Sequence, residues 1–261
     1  MKVYVNGVSV IGPGLNDAQE AQVILRGEKH WHNEEMHSLK PTMLPSNERR
    51  RTTSLIKLAL QAIQDLLRDY DDLNTLSSVF ASSDGDMEIV DKICTALADA
   101  ERLVSPTVFH NSVHNAPAGY WSIAASLRGS STSISAADAT FMVGLMEAIT
   151  RVMTEQGVVL YVAYDSPGPE PIHAKRPFVH PLAVALRLGA TPETGVLGTL
   201  TLKGETEKSL TRCRNISLEP LREGVPCGFG LPLVEALCRR ARMEVDMPYL
   251  SDKTYAVTVS H

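Results

Sequence analysis

Residues Ser131–Ile149 read STSISAADATFMVGLMEAI, and this stretch contains the pattern that decides the fold. A run of Ser, Thr and Ile predicts a strand over Ser131–Ser135, and apolar residues at helical spacing predict a helix over Thr140–Glu155. Small residues join the two, as in turns that present a reactive Cys or Ser at the start of a helix. Here the turn carries Asp138.

The segments on either side extend this unit into a sheet. Leu76–Ser82 and Val158–Ala163 are apolar enough to be buried strands, and Arg50–Asp69 is strongly helical, with its apolar residues on one face. A strand, a helix and a strand at this spacing form a βαβ unit, which implies a parallel sheet covered by helices. The sequence therefore predicts an α/β fold.

More distant segments have weaker patterns. Val3–Ile11 alternates like a strand, Asn16–Gly27 resembles a short helix, and Pro106–Gly119 is irregular. Pro167–Pro181 contains five prolines and predicts a loop or linker. After it, the pattern predicts strand, strand, helix and strand, over Pro181–Leu188, Val196–Leu202, Cys227–Arg242 and Thr254–Ser260.

Composition narrows the class of protein. The 261 residues are 44% hydrophobic with a net charge of −5, which is typical of a globular chain and argues against nucleic acid as a partner. The sequence contains no membrane-spanning run, and its four cysteines lack metal spacing, so we expect reduced thiols in a cytoplasmic protein without a metal. The His30–His32 pair lacks further ligands, so no metal site is expected there either.

Three ordered motifs together resemble the β-ketoacyl synthase family, which has the thiolase fold. They are ERRRTTSLIKLALQAI at Glu48–Ile63, SSDGDMEIVDKIC at Ser82–Cys94, and PTVFHNSVHNAPAGYWSIAASLRGSSTSIS at Pro106–Ser135. In the family, the strand that carries the nucleophile ends in a pattern like S-T-A-C-A-S/T. This chain reads Ser-Ala-Ala-Asp-Ala-Thr from Ser135, so the resemblance places Asp138 at the position of the catalytic cysteine.

The chain is most similar to the short synthase-like proteins of aryl polyene pathways, which accompany a full ketosynthase. The resemblance implies a truncated, thiolase-like, layered α-β-α fold with an abbreviated C-terminal half. We expect a ketosynthase-like N-terminal domain over residues 1–166 and a shortened C-terminal portion, 167–261, packed on the same domain.

Two departures from the family argue against catalysis. The thiol is absent, and the family's H-G-T-G-type histidine motif is absent too, because His173, His180 and His261 lie in contexts that do not match it. The resemblance therefore implies a non-catalytic subunit of the chain length factor type, without a cofactor. Such a subunit would form a heterodimer with a full-length ketosynthase in a type II polyketide or fatty-acid-like (aryl polyene) pathway, stabilise it and shape its acyl channel. An acyl carrier protein would be a further partner.

Asp138 itself has two interpretations. Its carboxylate could cap the helix that follows, because Asp is among the best N-cap residues. Alternatively, it could act as a general acid or base in a residual pocket. As a charged group it would also repel a malonyl carboxylate, so we expect no malonyl decarboxylation by this chain.

The resemblance also predicts a partner surface. In thiolase-fold dimers, the strand before the nucleophile turn pairs with its counterpart, and the loop at Pro106–Gly119 reaches the neighbour's acyl channel. The implied interface and channel residues are Phe109, Val113, His114, Asn115, Ala116, Ser131, Thr132, Ser133, Ile134, Ser135 and Met142. Phe109 and Met142 could equally fill the core, and His114 and Asn115 could satisfy loop carbonyls.

Two functions of other classes remain open at this stage. The chain could be an independent acyl-thioester enzyme, for instance an acyl hydrolase or dehydratase that uses Asp138 with His114. It could also be a homodimeric acyl-binding scaffold that recruits the carrier protein.

Overall fold

The structure is a computed structural model that describes residues 1–70, 72–250 and 252–261. In these residues, one sheet contains strands β1 to β8, which are Lys2–Ile11, Ser77–Ala81, Ser131–Ile134, Val158–Asp165, Leu182–Gly189, Gly198–Thr206, Met243–Pro248 and Thr254–Ser260. The helices α1 to α9 are Ala18–Leu25, Ser46–Arg51, Ser54–Leu66, Met87–Ala98, Pro106–Asn111, Ala116–Ala125, Thr140–Glu155, Glu219–Glu223 and Leu231–Cys238.

The sheet is mixed, with the strand order β3-β2-β4-β5-β1-β6-β8-β7. The predicted parallel sheet is correct only for β3, β2 and β4. From β5 onward, neighbouring strands are antiparallel. The physical reason is the connection: α7 links β3 to β4 as a crossover, whereas no helix links β4 to β5, so the chain turns back beside the strand it has just left.

Two hydrophobic clusters cover the two faces of the sheet, which gives the predicted α-β-α layers. Helices α3 and α6 pack on one face, around Phe80, Trp121 and Leu160. Helices α1, α7 and α9 pack on the other, around Leu145, Tyr161 and Leu186. Strand β5 lies between β4 and β1, so strands from both predicted portions of the chain share one sheet.

Helix α7 lies unusually close to the sheet because of Gly144. A Cβ at this position would be 2.7 Å from the Cβ of Ala81 and 2.8 Å from the ring atom Cε2 of Tyr161. Any larger residue would push α7 away from β2 and β4. Gly144 therefore helps fix the helix whose N-terminus follows Asp138.

Several predicted elements differ from those observed. The helix predicted over Arg50–Asp69 is interrupted, because Thr52 and Thr53 are extended and the Thr53 side chain accepts a hydrogen bond from Ile56 N as the N-cap of α3. The segment predicted to be irregular contains α5 and the start of α6. The helix predicted over Cys227–Arg242 is shorter, since it ends at Cys238 and the chain then forms β7.

Candidate functional site

The turn between β3 and α7 presents Asp138 at the surface. Residues Ala137–Ala139 form one short 3₁₀ turn, and the Asp138 side chain is 60% exposed. The turn is closed by Thr140, whose Oγ1 accepts a bond from Ala136 N at 2.9 Å and donates to Ala137 O at 2.6 Å. The capping interpretation of Asp138 is wrong, because Ala139 occupies the N-cap and the described residues show no side-chain cap there.

The Asp138 carboxylate instead pairs with Arg176, from the proline-rich segment before β5. One Arg176 amino group lies 3.0 Å from Asp138 Oδ1 and 2.8 Å from Ser83 Oγ, while Nε lies 3.0 Å from Asp84 Oδ2. The guanidinium also lies over the Phe178 ring, 4.8 Å from its centre. These contacts hold Arg176 across the turn.

Burial alone would lower the pKa of Arg176, but hydrogen bonds and charges from Asp84 and Asp138 raise it above its usual value. Arg176 is therefore a permanent cation that counterbalances both carboxylates. Nothing in the sequence pattern pointed to it, because a single Arg in a proline-rich segment is usually solvated.

A buried carboxylate, Asp165 at the end of β4, holds the loop that carries Asp84. Its Oδ1 accepts bonds from Ser82 Oγ at 3.1 Å and Ser83 N at 2.7 Å, and its Oδ2 accepts one from Cys227 N at 3.1 Å. Burial raises the pKa of Asp165 to about 7, although these hydrogen bonds oppose the shift. Asp165 thus ties β2, β4 and the turn before α9 together beside Asp138.

Strand β3 forms one edge of the sheet, with no strand on its outer side in the described residues. Toward β2, the carbonyls of Ser130 and Ile134 accept bonds from Ser78 N at 2.9 Å and Ser82 N at 3.1 Å. Because successive residues of a strand alternate in direction, Ser131 and Ser133 direct their backbone N–H and C=O groups to the open side. This edge is a template for another strand.

The side chains of the predicted β3 interface mostly bond within the chain. Ser131 Oγ accepts a bond from Ser78 Oγ, Thr132 Oγ1 accepts one from Arg151, and Ser135 Oγ donates to Ser83 O. Ile134 packs against the core. Ser133 Oγ is buried and has no hydrogen-bond partner within the described range. The open edge therefore offers backbone groups more than side chains.

An apolar groove of about 560 Å³ lies on α5 and α6. It is lined by four of the predicted interface residues, Phe109, Val113, Asn115 and Ala116, and also by Tyr120 and Ile123. Phe109, Val113 and Ile123 are 67%, 52% and 54% exposed, so this face is unusually apolar for a surface. The sequence did not identify Tyr120 and Ile123, because apolar residues of a short helix are ordinarily core positions.

Two further predicted residues lie elsewhere. The His114 ring Nε2 bonds with Ser82 O at 3.0 Å, so it satisfies a loop carbonyl beside Asp84. Met142 is only 1% exposed and packs in the core, because it lies on the α7 face that meets the sheet. Its assignment to the partner surface or channel is therefore wrong for this chain.

Another histidine, His180, packs away from the surface. His180 is buried against Trp31, with ring centres 5.8 Å apart, and burial lowers its pKa. Across residues 1–70, 72–250 and 252–261, no group of three or more His, Cys, Asp or Glu could hold a metal ion. In the same ranges, no helix combines the length and the hydropathy that a bilayer crossing requires.

Comparisons with known proteins agree with this geometry. The sequence model of the β-ketoacyl synthase N-terminal domain matches residues 25–221. No curated protein matches the chain significantly.

Solved structures share the fold. A structure of the ketosynthase ApeO in complex with its chain length factor ApeC, from Xenorhabdus doucetiae, matches at 22% identity, covering 99% of both chains with a TM-score of 0.74. The type II polyketide complex AntDE:AntF and the ishigamide ketosynthase/chain length factor match at 14% and 13% identity, each over 99% of both chains, with TM-scores of 0.72 and 0.71. At these identities the likeness establishes the fold alone.

The family match covers well over half of the sequence, and the layered fold and the strand–turn–helix unit around Asp138 agree with it. The chain belongs to the β-ketoacyl synthase N-terminal domain family.

Proposed function

We propose that this chain is a non-catalytic ketosynthase-like subunit of the chain length factor type. It forms a heterodimer with a full-length ketosynthase, stabilises that partner and shapes its acyl channel in an aryl polyene type of pathway, with an acyl carrier protein as the second partner. The solved structures that share its fold include two ketosynthase–chain length factor complexes and a type II polyketide complex of a ketosynthase with its acyl carrier protein, which supports this assignment.

The observation that carries the proposal is the open edge of β3 beside the apolar groove. A strand edge and an exposed apolar face on neighbouring elements both require cover to avoid aggregation. A partner strand added to β3 would bond with Ser131 and Ser133, while the partner's apolar residues would bury Phe109, Val113 and Ile123. A few well-packed and desolvated residues supply most of the affinity in protein interfaces, and Phe109 is the largest candidate here.

The pairing of Asp138 with Arg176 supports the non-catalytic assignment. The Asp138 carboxylate is already engaged by the Arg176 guanidinium at 3.0 Å, so a substrate group that approached it would have to displace this contact. The pairing also changes the argument about malonyl groups: Arg176 offsets the charge of Asp138, so simple repulsion is weaker than the sequence suggested. A second argument against malonyl binding still holds. The Arg176 guanidinium is already bonded to Asp138, Asp84 and Ser83, so it is less available to a substrate carboxylate.

Co-expression with a candidate full-length ketosynthase, followed by size-exclusion chromatography, tests the proposal. We expect co-elution as a heteromer. Ser133→Pro removes an N–H on the open side without touching the bonds to β2, so it should weaken the complex and reduce the co-eluting fraction while the chain stays folded. Separate elution of the wild-type chain, with the ketosynthase fully active alone, would contradict the proposal.

The same purified chain separates the two alternatives. Turnover of acyl thioesters or decarboxylation of malonyl carrier protein by the isolated chain, lost in Asp138→Ala, would identify an enzyme. Stable self-association with carrier binding in the absence of any ketosynthase would identify a scaffold.

A thiol restored at position 138 should be reactive. In Asp138→Cys, the N-terminus of α7 and the Arg176 guanidinium both favour the thiolate, so we expect alkylation by iodoacetamide near pH 7 to be roughly tenfold faster than at the exposed Cys94 of the same molecule. The rates are read by peptide mass spectrometry after short pulses. Adding Arg176→Gln to the Asp138→Cys variant should remove part of the advantage. Equal rates at both cysteines would show that position 138 does not favour a nucleophile.

A further inference from the structure

A second pocket, about 660 Å³ in volume, lies between the C-terminal ends of α1 and α9. Its lining includes four arginines, Arg26, Arg214, Arg239 and Arg240, and a single carboxylate, Glu28. We refer to it as the basic pocket. The chain as a whole has a net charge of −5, so this concentration of arginine is a local feature.

Arg239 is held rigidly in this pocket. Its Nε donates to Leu25 O at 3.1 Å and to Glu235 Oε1 at 2.9 Å. Its guanidinium covers Gly27 so closely that a Cβ there would be 2.1 Å from Nη2. Neither terminal amino group has a hydrogen-bond partner in the described part of the chain, and neither is sealed from solvent. A fixed pair of donors therefore faces the pocket.

The charges in the pocket do not cancel. Arg26 pairs with Glu28 at 2.5 Å and Arg239 pairs with Glu235, but Arg214 and Arg240 have no carboxylate partner among the described residues. Helices α1 and α9 both end at this pocket. The dipole of each helix places about half a negative charge at its C-terminus, so the two together offset about one cation. Positive charge is left over, and it surrounds donors that are already oriented.

We propose that the basic pocket binds the diphosphate group of a small-molecule ligand. Guanidinium groups present paired donors that match the oxygens of phosphate, and several arginines are suited to a group with more than one negative charge. The volume is in the usual range for small-molecule sites. The site goes beyond the proposed subunit role because it is far from the β3 edge. The pocket lies beside Leu197, at the start of β6, and four strands of the sheet separate β6 from β3. We therefore expect the pocket to stay open when a partner covers the β3 edge.

Position 240 allows a clean test. Arg240 follows the C-cap of α9 with φ of 50°, and Arg240 N and Ala241 N donate to Leu237 O and Ala236 O. Glycine is the residue that this helix end usually carries, as Gly27 does after α1, so Arg240→Gly preserves the backbone while removing the guanidinium. The test variant is Arg214→Ala/Arg240→Gly. Its matched control is Arg50→Ala/Arg102→Gly, which removes the same two charges outside the pocket: Arg50 is exposed, and Arg102 lies on an exposed loop with φ of 51°, close to that of Arg240.

The experiment is isothermal titration calorimetry of the full chain with pyrophosphate at low ionic strength, where charge screening is weak. We expect one site, at least tenfold weaker binding in the Arg214/Arg240 variant, and unchanged binding in the Arg50/Arg102 control. Any one of three results would overturn the proposal: no binding of pyrophosphate, equal loss in both variants, or tighter binding of hexaglutamate than of pyrophosphate. The last of these would indicate an acidic protein surface instead.

Discussion

Replacing Phe109 by glutamate is expected to weaken association with a full-length ketosynthase by roughly 30- to 1,000-fold, or about 2–4 kcal/mol. Phe109 is 67% exposed in the isolated chain and lines the apolar groove beside the open strand. Its ring has little to pack against until a partner covers it. A glutamate would place a charge in a surface that the proposed complex desolvates, and this costs more than loss of the ring alone.

The matched control is Ile216→Glu. Ile216 is 63% exposed and lies on the short turn Ile216–Leu218, which packs against α8, and it does not line the apolar groove. Both substitutions add one negative charge at an exposed apolar position. Dissociation constants from biolayer interferometry should separate them, with the Ile216 variant unchanged. Equal effects of the two variants, or none from Phe109→Glu, would remove the groove from the interface.

Asp165 is expected to make the free energy of unfolding fall as pH rises. The pKa of its carboxyl is raised to about 7 in the folded chain, mainly by burial, while an unfolded Asp titrates near 4. Below about pH 4, both states hold the proton and the group adds no pH dependence. Between about pH 4 and 7, the unfolded chain releases the proton first, so the unfolded state gains stability. The expected loss between about pH 5 and 7 is roughly 2–3 kcal/mol, and it levels off above pH 7.

Urea unfolding of the wild-type chain and of Asp165→Asn across this pH range measures the effect. The difference between the two proteins isolates Asp165, because the other titrating groups cancel. The asparagine lowers stability near pH 5, since its amide nitrogen faces Cys227 N–H, but the deficit should shrink or reverse near pH 8. Glu34→Gln, at an exposed carboxyl, should follow the wild-type curve. Parallel curves for wild type and Asp165→Asn would show that Asp165 ionises normally.

The strand–turn–helix unit could be predicted because its signal is local. Apolar residues at helical spacing defined α7 over the whole of Thr140–Glu155, and the buried runs defined β2 and β4. The family motifs then indicated the position of Asp138 within the unit. Local patterns of this kind are determined by burial on one face, which a sequence displays directly.

Other features depend on contacts between distant residues. Arg176 reaches Asp138, Asp84 and Ser83 across 38 to 93 positions of sequence, and no short pattern encodes such a meeting. The antiparallel half of the sheet was not predicted for a similar reason. The direction of β5 depends on its pairing with β4 and β1, and β1 lies far away in the sequence. Helix α5 was missed because it has only six residues and buries little apolar surface, so it lacks the periodicity that identifies longer helices.

Position 138 carries an aspartate where the family has its nucleophile, and we propose that the chain assists a catalytic partner without forming bonds itself. Intact-protein mass spectrometry of the purified complex, after incubation with an acyl carrier thioester, tests this most directly. We expect an acyl adduct on the full-length ketosynthase and an unmodified mass for this chain. A thioester or ester adduct on this chain, lost in Asp138→Ala, would contradict it.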